Sequence, residues 1–135
     1  MSDIKKSIKS YIKNTKNDWN YITPKDFYET IYQNKNKMKN IFLLDIRKKD
    51  EFRKFHIKGA KNIFWLDLFQ EKNLKKLPKN KKIFLICYVG HTSSQIMVLL
   101  KLLGYDVVSI KFGYGISPVM GVPVAGWMNY NYPVV

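Results

Sequence analysis

The chain has 135 residues and a mass of 16.0 kDa, the size of one ordinary domain, and its 46% hydrophobic and 15% aromatic content excludes a disordered polymer. It carries 24 Lys+Arg against 10 Asp+Glu, but only two of the cations are Arg and 22 of the 24 precede Cys87, in Asn-mixed runs such as 34–40 and 75–82. A phosphate-reading face would favour Arg and interleaved aromatic platforms, so a solvated surface is the reading and no specific nucleic-acid partner is expected. One cysteine excludes an internal disulfide and a four-cysteine metal site, and neither a metal nor another cofactor is expected. The longest apolar runs, Ile41 to Leu44 and Ile96 to Leu100, fall far short of the roughly 20 residues that span a bilayer. No membrane partner is therefore expected, and a basic start without an apolar core and cleavage site points to the cytoplasm.

Residues 1–20 read as an amphipathic arm with Ile4, Ile8, Tyr11 and Ile12 at helical spacing, and residues 21–135 as the domain proper. Thr23 as N-cap and Pro24 at the first helical position start a helix running to about Gln33. The Lys/Asn segment 34–40 is expected to be a loop. Ile41 to Ile46 is a continuous apolar run, as a strand covered on both faces requires. A short helix over Lys49 to Phe55, a turn over His56 to Ala60 and an edge strand over Lys61 to Phe64 follow. A helical stretch covers Leu66 to Phe69, and Lys72 to Lys82 is expected to be loop. Ile83 to Ile86 is a second buried strand, Ser93 to Leu103 a helix closed by Gly104, and Asp106 to Ile110 a third buried strand. Strands alternating with helices describe an α/β fold with a parallel sheet covered on both faces. From about residue 112 the chain becomes a Gly-, Pro- and aromatic-rich tail that must pack over the domain or enter an interface.

Ligands of an open parallel sheet bind beyond the carboxyl ends of its strands, where Cys87 falls. Tyr88-Val89-Gly90-His91-Thr92 leads from it into a helix, and Thr92 with Gln95 has the spacing of a capping box. A short glycine-containing loop between a strand end and a helix start can turn several N–H groups toward one point, a cradle for anions and for negative charge on sulfur. Thiolates are the nucleophilic form of cysteine and are favoured at helix N-termini. By these local features Cys87 is equally a nucleophile in an anion cradle or a small apolar residue ending a strand.

Several ordered motifs add to this. Leu43-Leu44-Asp45-Ile46-Arg47, Glu51-Phe52 and His56-Ile57-Lys58-Gly59-Ala60 precede Leu77-Pro78, Cys87 to Ser94, and Leu103-Gly104-Tyr105-Asp106-Val107. Over roughly residues 20–115 they resemble the rhodanese-like (sulfurtransferase) family. The resemblance implies a three-layer α/β domain with a five-stranded parallel sheet and a six-residue active-site loop, here Cys87 to Thr92. Catalytic members move a sulfane sulfur from an anionic donor such as thiosulfate to a thiol or cyanide acceptor through a cysteine persulfide. The other function the resemblance allows is a noncatalytic module that binds an anion or a protein.

Carried onto this sequence, Cys87 is the sulfur carrier, and the N–H groups of Tyr88, Val89, Gly90, His91 and Thr92 form the cradle. His91 is a candidate for favouring an anionic donor when protonated. Asp45 and Arg47 resemble the family's structural pair near the site, with Arg47 also a candidate contact for the donor anion, while His56 and Gly59 read as turn-forming. Many members carry Arg in the loop and this one has none. The related phosphatases require an Arg six positions after the Cys, where this chain has Ser93, so phosphatase chemistry lacks its clamp. The tail from about residue 112, in which Phe112-Gly113-Tyr114-Gly115 is followed by Ile116-Ser117-Pro118 before Gly126-Trp127, is a candidate wall over Cys87, and Trp127, Tyr130 and Tyr132 are equally candidates for closing the core.

Overall fold

The computed structural model describes residues 2–17, 19–116 and 126–135. Five parallel strands form one sheet: β1 (Tyr21–Ile22), β2 (Ile41–Asp45), β3 (Lys61–Asn62), β4 (Lys82–Ile86) and β5 (Val107–Ile110), in the spatial order β1-β5-β4-β2-β3. The long apolar strands occupy the centre, where both faces are covered, and the two-residue β1 and β3 form the edges. β2 and β4 are paired from Ile41↔Lys82 to Asp45↔Ile86, so both end at the same level.

Alternation along the strands divides the core. On one face Leu44, Ile83, Leu85, Cys87 and Val107 pack with Ile96, Met97 and Leu100 of α6 (His91–Leu102), with the half-buried Tyr11 of α1 (Ser2–Asn14) against them. On the other face Leu43, Phe84, Ile86, Val108 and Ile110 pack with Phe27, Tyr114 and Trp127. That layer contains α2 (Pro24–Phe27), a π-helical turn over Tyr28–Tyr32 and α3 (Lys35–Lys39). Two further short helices, α4 (Lys49–Lys54) and α5 (Glu71–Leu74), follow β2 and precede β4. The result is the three-layer α/β domain expected of the sequence.

Several boundaries have clear local causes. Thr23 accepts the Asp26 N–H at 3.1 Å with Pro24 directly after it, the expected N-cap. Gly104 is left-handed, and the Tyr105 N–H reaches back to the Leu100 carbonyl at 3.1 Å, which closes α6 in the expected way. Four expectations are corrected. The helix begun at Pro24 widens at Tyr28, which lets Tyr28 and Tyr32 both reach Trp127, with ring centroids 5.7 and 5.5 Å away. The 34–40 segment is not a loop: Asn34 caps the Lys37 N–H at 3.1 Å and starts α3. Residues 66–69 form turns rather than a helix, and the expected 72–82 loop begins inside α5. Among the described residues no helix is long and apolar enough to cross a membrane.

Candidate active site around Cys87

Cys87 follows directly on β4 and is 2% exposed. Its Sγ accepts the N–H of Gly90 at 3.2 Å and the N–H of Ser93 at 3.4 Å. The loop that closes this geometry depends on Gly90, whose φ is +93°, and the chain enters α6 directly after it. The capping box between Thr92 and Gln95 does not form, because the helix begins at His91 and Gly90 takes the N-cap position without a side-chain cap. Ser93 is then the third helical residue, whose N–H an N-cap side chain would ordinarily satisfy. The cysteine sulfur takes that place. The N–H groups of His91 and Thr92, as the first two of the helix, have no intrahelical acceptor.

The loop is backed by the chain that leaves β5. Tyr114 donates its N–H to the Cys87 carbonyl at 3.0 Å and Gly115 to the Tyr88 carbonyl at 2.9 Å. Gly113 has φ +52°, and a Cβ there would lie 2.2 Å from the Cys87 oxygen, so only glycine permits this approach. A Cβ on Gly90 would likewise meet the Phe112 nitrogen at 2.8 Å.

Beneath the sulfur lies a pair that the sequence reading did not single out. Ser93 Oγ is 2.8 Å from Ser109 Oγ of β5 and donates to the Gly90 carbonyl at 3.2 Å, and both serines are fully buried. Since the Ser93 hydroxyl gives its proton to Gly90, Ser109 is the donor between the two oxygens. Ser94 is bonded to the Tyr21 hydroxyl of β1. Two adjacent serines thus tie the first turn of α6 to two strands and hold the Ser93 N–H against the sulfur. A lone hydroxyl inside the apolar run Val107-Val108-Ser109-Ile110 was the signal available for Ser109.

The remaining candidates lie around this centre. Val89 and Gly90 are half-buried loop residues, Thr92 is half-buried on the first turn, and His91 is exposed. Tyr88 is half-buried, with its hydroxyl 3.5 Å from the Lys48 N–H, and burial pushes its phenol up from the ordinary value. Arg47 is taken up by its own neighbours: it is 0% exposed, its Nε and Nη2 bond the Asp45 carboxylate at 2.9 to 3.2 Å, and Nη2 also donates to the Phe55 carbonyl at 2.6 Å. Its guanidinium lies 3.9 Å from the Tyr114 ring centre, and that face takes the place of a partner for the buried Nη1. Tyr114 donates to Asp45 at 2.8 Å and accepts the Ile57 N–H at 3.1 Å, and burial, followed by the Asp45 charge, pushes its phenol well up.

His56 has Nδ1 2.8 Å from the Phe52 carbonyl and its ring stacked on Phe52, while Gly59, at φ +92°, makes the turn. Trp127 is fully buried in the core and Tyr130 is 42% exposed. Of the tail expected to wall Cys87, residues 117–125 lie outside the described residues.

A parallel five-stranded sheet with a cysteine at the end of its central strand, cradled by a glycine loop and a helix start, defines the class. The model of the rhodanese-like domain matches residues 23–115, and the chain belongs to that family. Among solved structures it is similar to a rhodanese-related protein from Thermoplasma volcanium, with 27% identity, a TM-score of 0.67, and coverage of 86% of this chain and 97% of that one. It is also similar in fold to a rhodanese-like domain protein from Staphylococcus aureus, at 22% identity and TM-score 0.62, covering 78% and 98% of the two chains. The rhodanese-like domain of an Anabaena protein gives 19% identity and TM-score 0.62, covering 86% and 78%. No curated protein sequence matches the chain.

Proposed function

We propose that this chain is a sulfurtransferase that passes a sulfane sulfur from a small anionic donor such as thiosulfate to a thiol or cyanide acceptor through a persulfide on Cys87. The observation that carries the reading is the pair of N–H groups, Gly90 and Ser93, directed at Sγ, beside the helix-start N–H groups of His91 and Thr92, which have no intrahelical acceptor. In the first half-reaction the Cys87 thiolate attacks the outer sulfur of thiosulfate, a new S–S bond forms, and the old one breaks as sulfite leaves with its electron pair. In the second, an acceptor thiolate or cyanide attacks the terminal sulfur of the persulfide, and Cys87 leaves as thiolate. The backbone donors favour the anionic sulfur at each stage, and their fixed orientation removes the cost of reorganising them.

The loop has no arginine and Arg47 is held by Asp45, so what the described loop offers a donor anion is backbone N–H groups and the exposed His91. The rival reading, a noncatalytic module of the same fold that binds an anion or a protein, takes its support from that lack. Intact-mass measurement after incubation with thiosulfate separates the two. The expected result is a gain of one sulfur atom that Cys87→Ser abolishes. No gain from thiosulfate or from a persulfide donor overturns the sulfurtransferase reading in favour of the module.

A further inference from the structure

Helix α1 is turned inside out. Its Ile4, Ile8 and Ile12, one turn apart on a single row, are 50%, 45% and 60% exposed. Its polar flank faces the protein instead: Lys6, Ser7, Ser10 and Asn14 line a groove against the end of α6, and Tyr11 is the apolar side chain of the helix that packs on the core. A helix stabilised only by docking to its own domain would present the isoleucines inward, because burying an apolar row is what makes a short helix stable. The isoleucine row therefore fits an occupant outside the domain.

Charge decides which occupant. Lys5, Lys9 and Lys13, all exposed, form a second row one residue further round, directly beside the isoleucines, and Lys6 adds a fourth cation against the single acid Asp3. A second copy of the chain, paired stripe to stripe in antiparallel fashion, would set the two lysine rows side by side, and like charges at that spacing repel. A planar anionic surface meets both rows at once: the isoleucines enter the boundary between headgroups and acyl chains, and the lysines extend their apolar stems to keep each ammonium among the headgroups. We infer that α1 is a surface anchor that lays the protein on an anionic phospholipid bilayer through Ile4, Ile8 and Ile12, with Lys5, Lys9 and Lys13 at the headgroups. The expectation of no membrane partner came from the lack of a spanning segment, which bears on crossing a bilayer and not on lying against one.

The test is co-sedimentation of the full chain with vesicles of phosphatidylcholine alone and of phosphatidylcholine mixed with phosphatidylglycerol. Binding to the mixed vesicles is expected to be about tenfold or more tighter than to phosphatidylcholine, and to weaken as salt is raised. Replacing Ile4, Ile8 and Ile12 together by Ala keeps helix propensity and removes the apolar row. That variant is expected to lose about tenfold in vesicle affinity, and Lys5→Gln/Lys9→Gln/Lys13→Gln a similar factor. Both are expected to keep the parent thermal midpoint, since these side chains lie outside the core. Absence of binding to mixed vesicles overturns the inference, as does undiminished binding by the alanine variant. A concentration-dependent dimer that the alanine variant dissolves also overturns it, by giving the row to a second copy. Vesicle binding involves no sulfur chemistry, so its failure leaves the Cys87 reading untouched, and the reverse also holds.

Discussion

Two regions sit side by side at the carboxyl end of the central strands and are built in opposite ways. Beyond β4, the Cys87 loop is made from backbone: two N–H groups on the sulfur, two carbonyls held by the chain after β5, and glycines where a side chain would collide. Beyond β2, the Asp45–Arg47–Tyr114 cluster is made from side chains, with a fully buried ion pair, a phenol bonded to the carboxylate and a guanidinium against an aromatic face. The first directs its donors at the sulfur. The second uses its charges on itself, and its role is to fix where β2 ends and where the chain after β5 lies. A buried arginine next to a cysteine loop is thus no indication of an anion site when its carboxylate partner is equally buried.

The contrast predicts that the cluster answers to side-chain changes with stability and the loop with chemistry. The largest effect is expected from Asp45→Asn, which leaves the Arg47 charge buried and uncompensated. It should cost about 3–5 kcal/mol of unfolding free energy, measured by urea denaturation. A loss below that of an ordinary surface change would mean that the ion pair is not the frame described above.

Next comes Ser109→Ala, which removes the donor to Ser93 and leaves a buried hydroxyl short of a partner. About 1–3 kcal/mol of stability should be lost, together with a slower alkylation of Cys87, because the Ser93 N–H loses its anchor. Unchanged alkylation across the pH range would remove Ser109 from any role at the sulfur.

The cluster should also show itself at high pH. Tyr114 has a phenol pushed well up by burial, so the folded chain holds its proton above pH 10 while the unfolded chain releases it. Its contribution to stability is complete below the unfolded value near 10 and falls as pH rises above it, by about 1.4 kcal/mol per pH unit, until the folded phenol ionises. Tyr114→Phe should remove that slope, as read from denaturation midpoints at a series of alkaline pH values. An identical slope in the variant would contradict the assignment. The smallest effect is expected from Thr92→Ala, within about 0.5 kcal/mol, because no capping box exists to lose. A loss near that of an ordinary N-cap, about 1 kcal/mol, would restore the box.

What was legible in the sequence was whatever a local rule decides. The apolar runs gave the central strands, Thr23-Pro24 started a helix, Gly104 ended one, and the strand–Cys–Gly–helix order placed Cys87 where ligands of such sheets bind. The failures share a cause in tertiary contact. Thr92 and Gln95 have the right spacing for a cap, but Gly90 starts the helix two residues earlier, so Thr92 already lies inside its first turn. The lysine-rich 34–40 segment offers little periodicity, yet Asn34 and the contact of Met38 with the core make it helical. Ser109 is one hydroxyl in a buried strand, and nothing local says that its partner lies sixteen residues back, one turn beyond the cysteine. Arg47 next to a predicted loop suggests an anion contact until the fold turns Asp45 and Tyr114 upon it.

The sulfur of Cys87 stands where a helix-capping oxygen would stand, and this makes the chemical state of one atom part of the thermodynamics of a whole helix. An acceptor's strength depends on its charge and on where its electrons are placed, so a change of state at the sulfur alters the free energy of the first turn of α6. By reciprocity, anything that strengthens or loosens that turn shifts the equilibrium between those states. Any change in the chemical state of that sulfur should therefore be readable in melting behaviour, with the stability of α6 as its gauge.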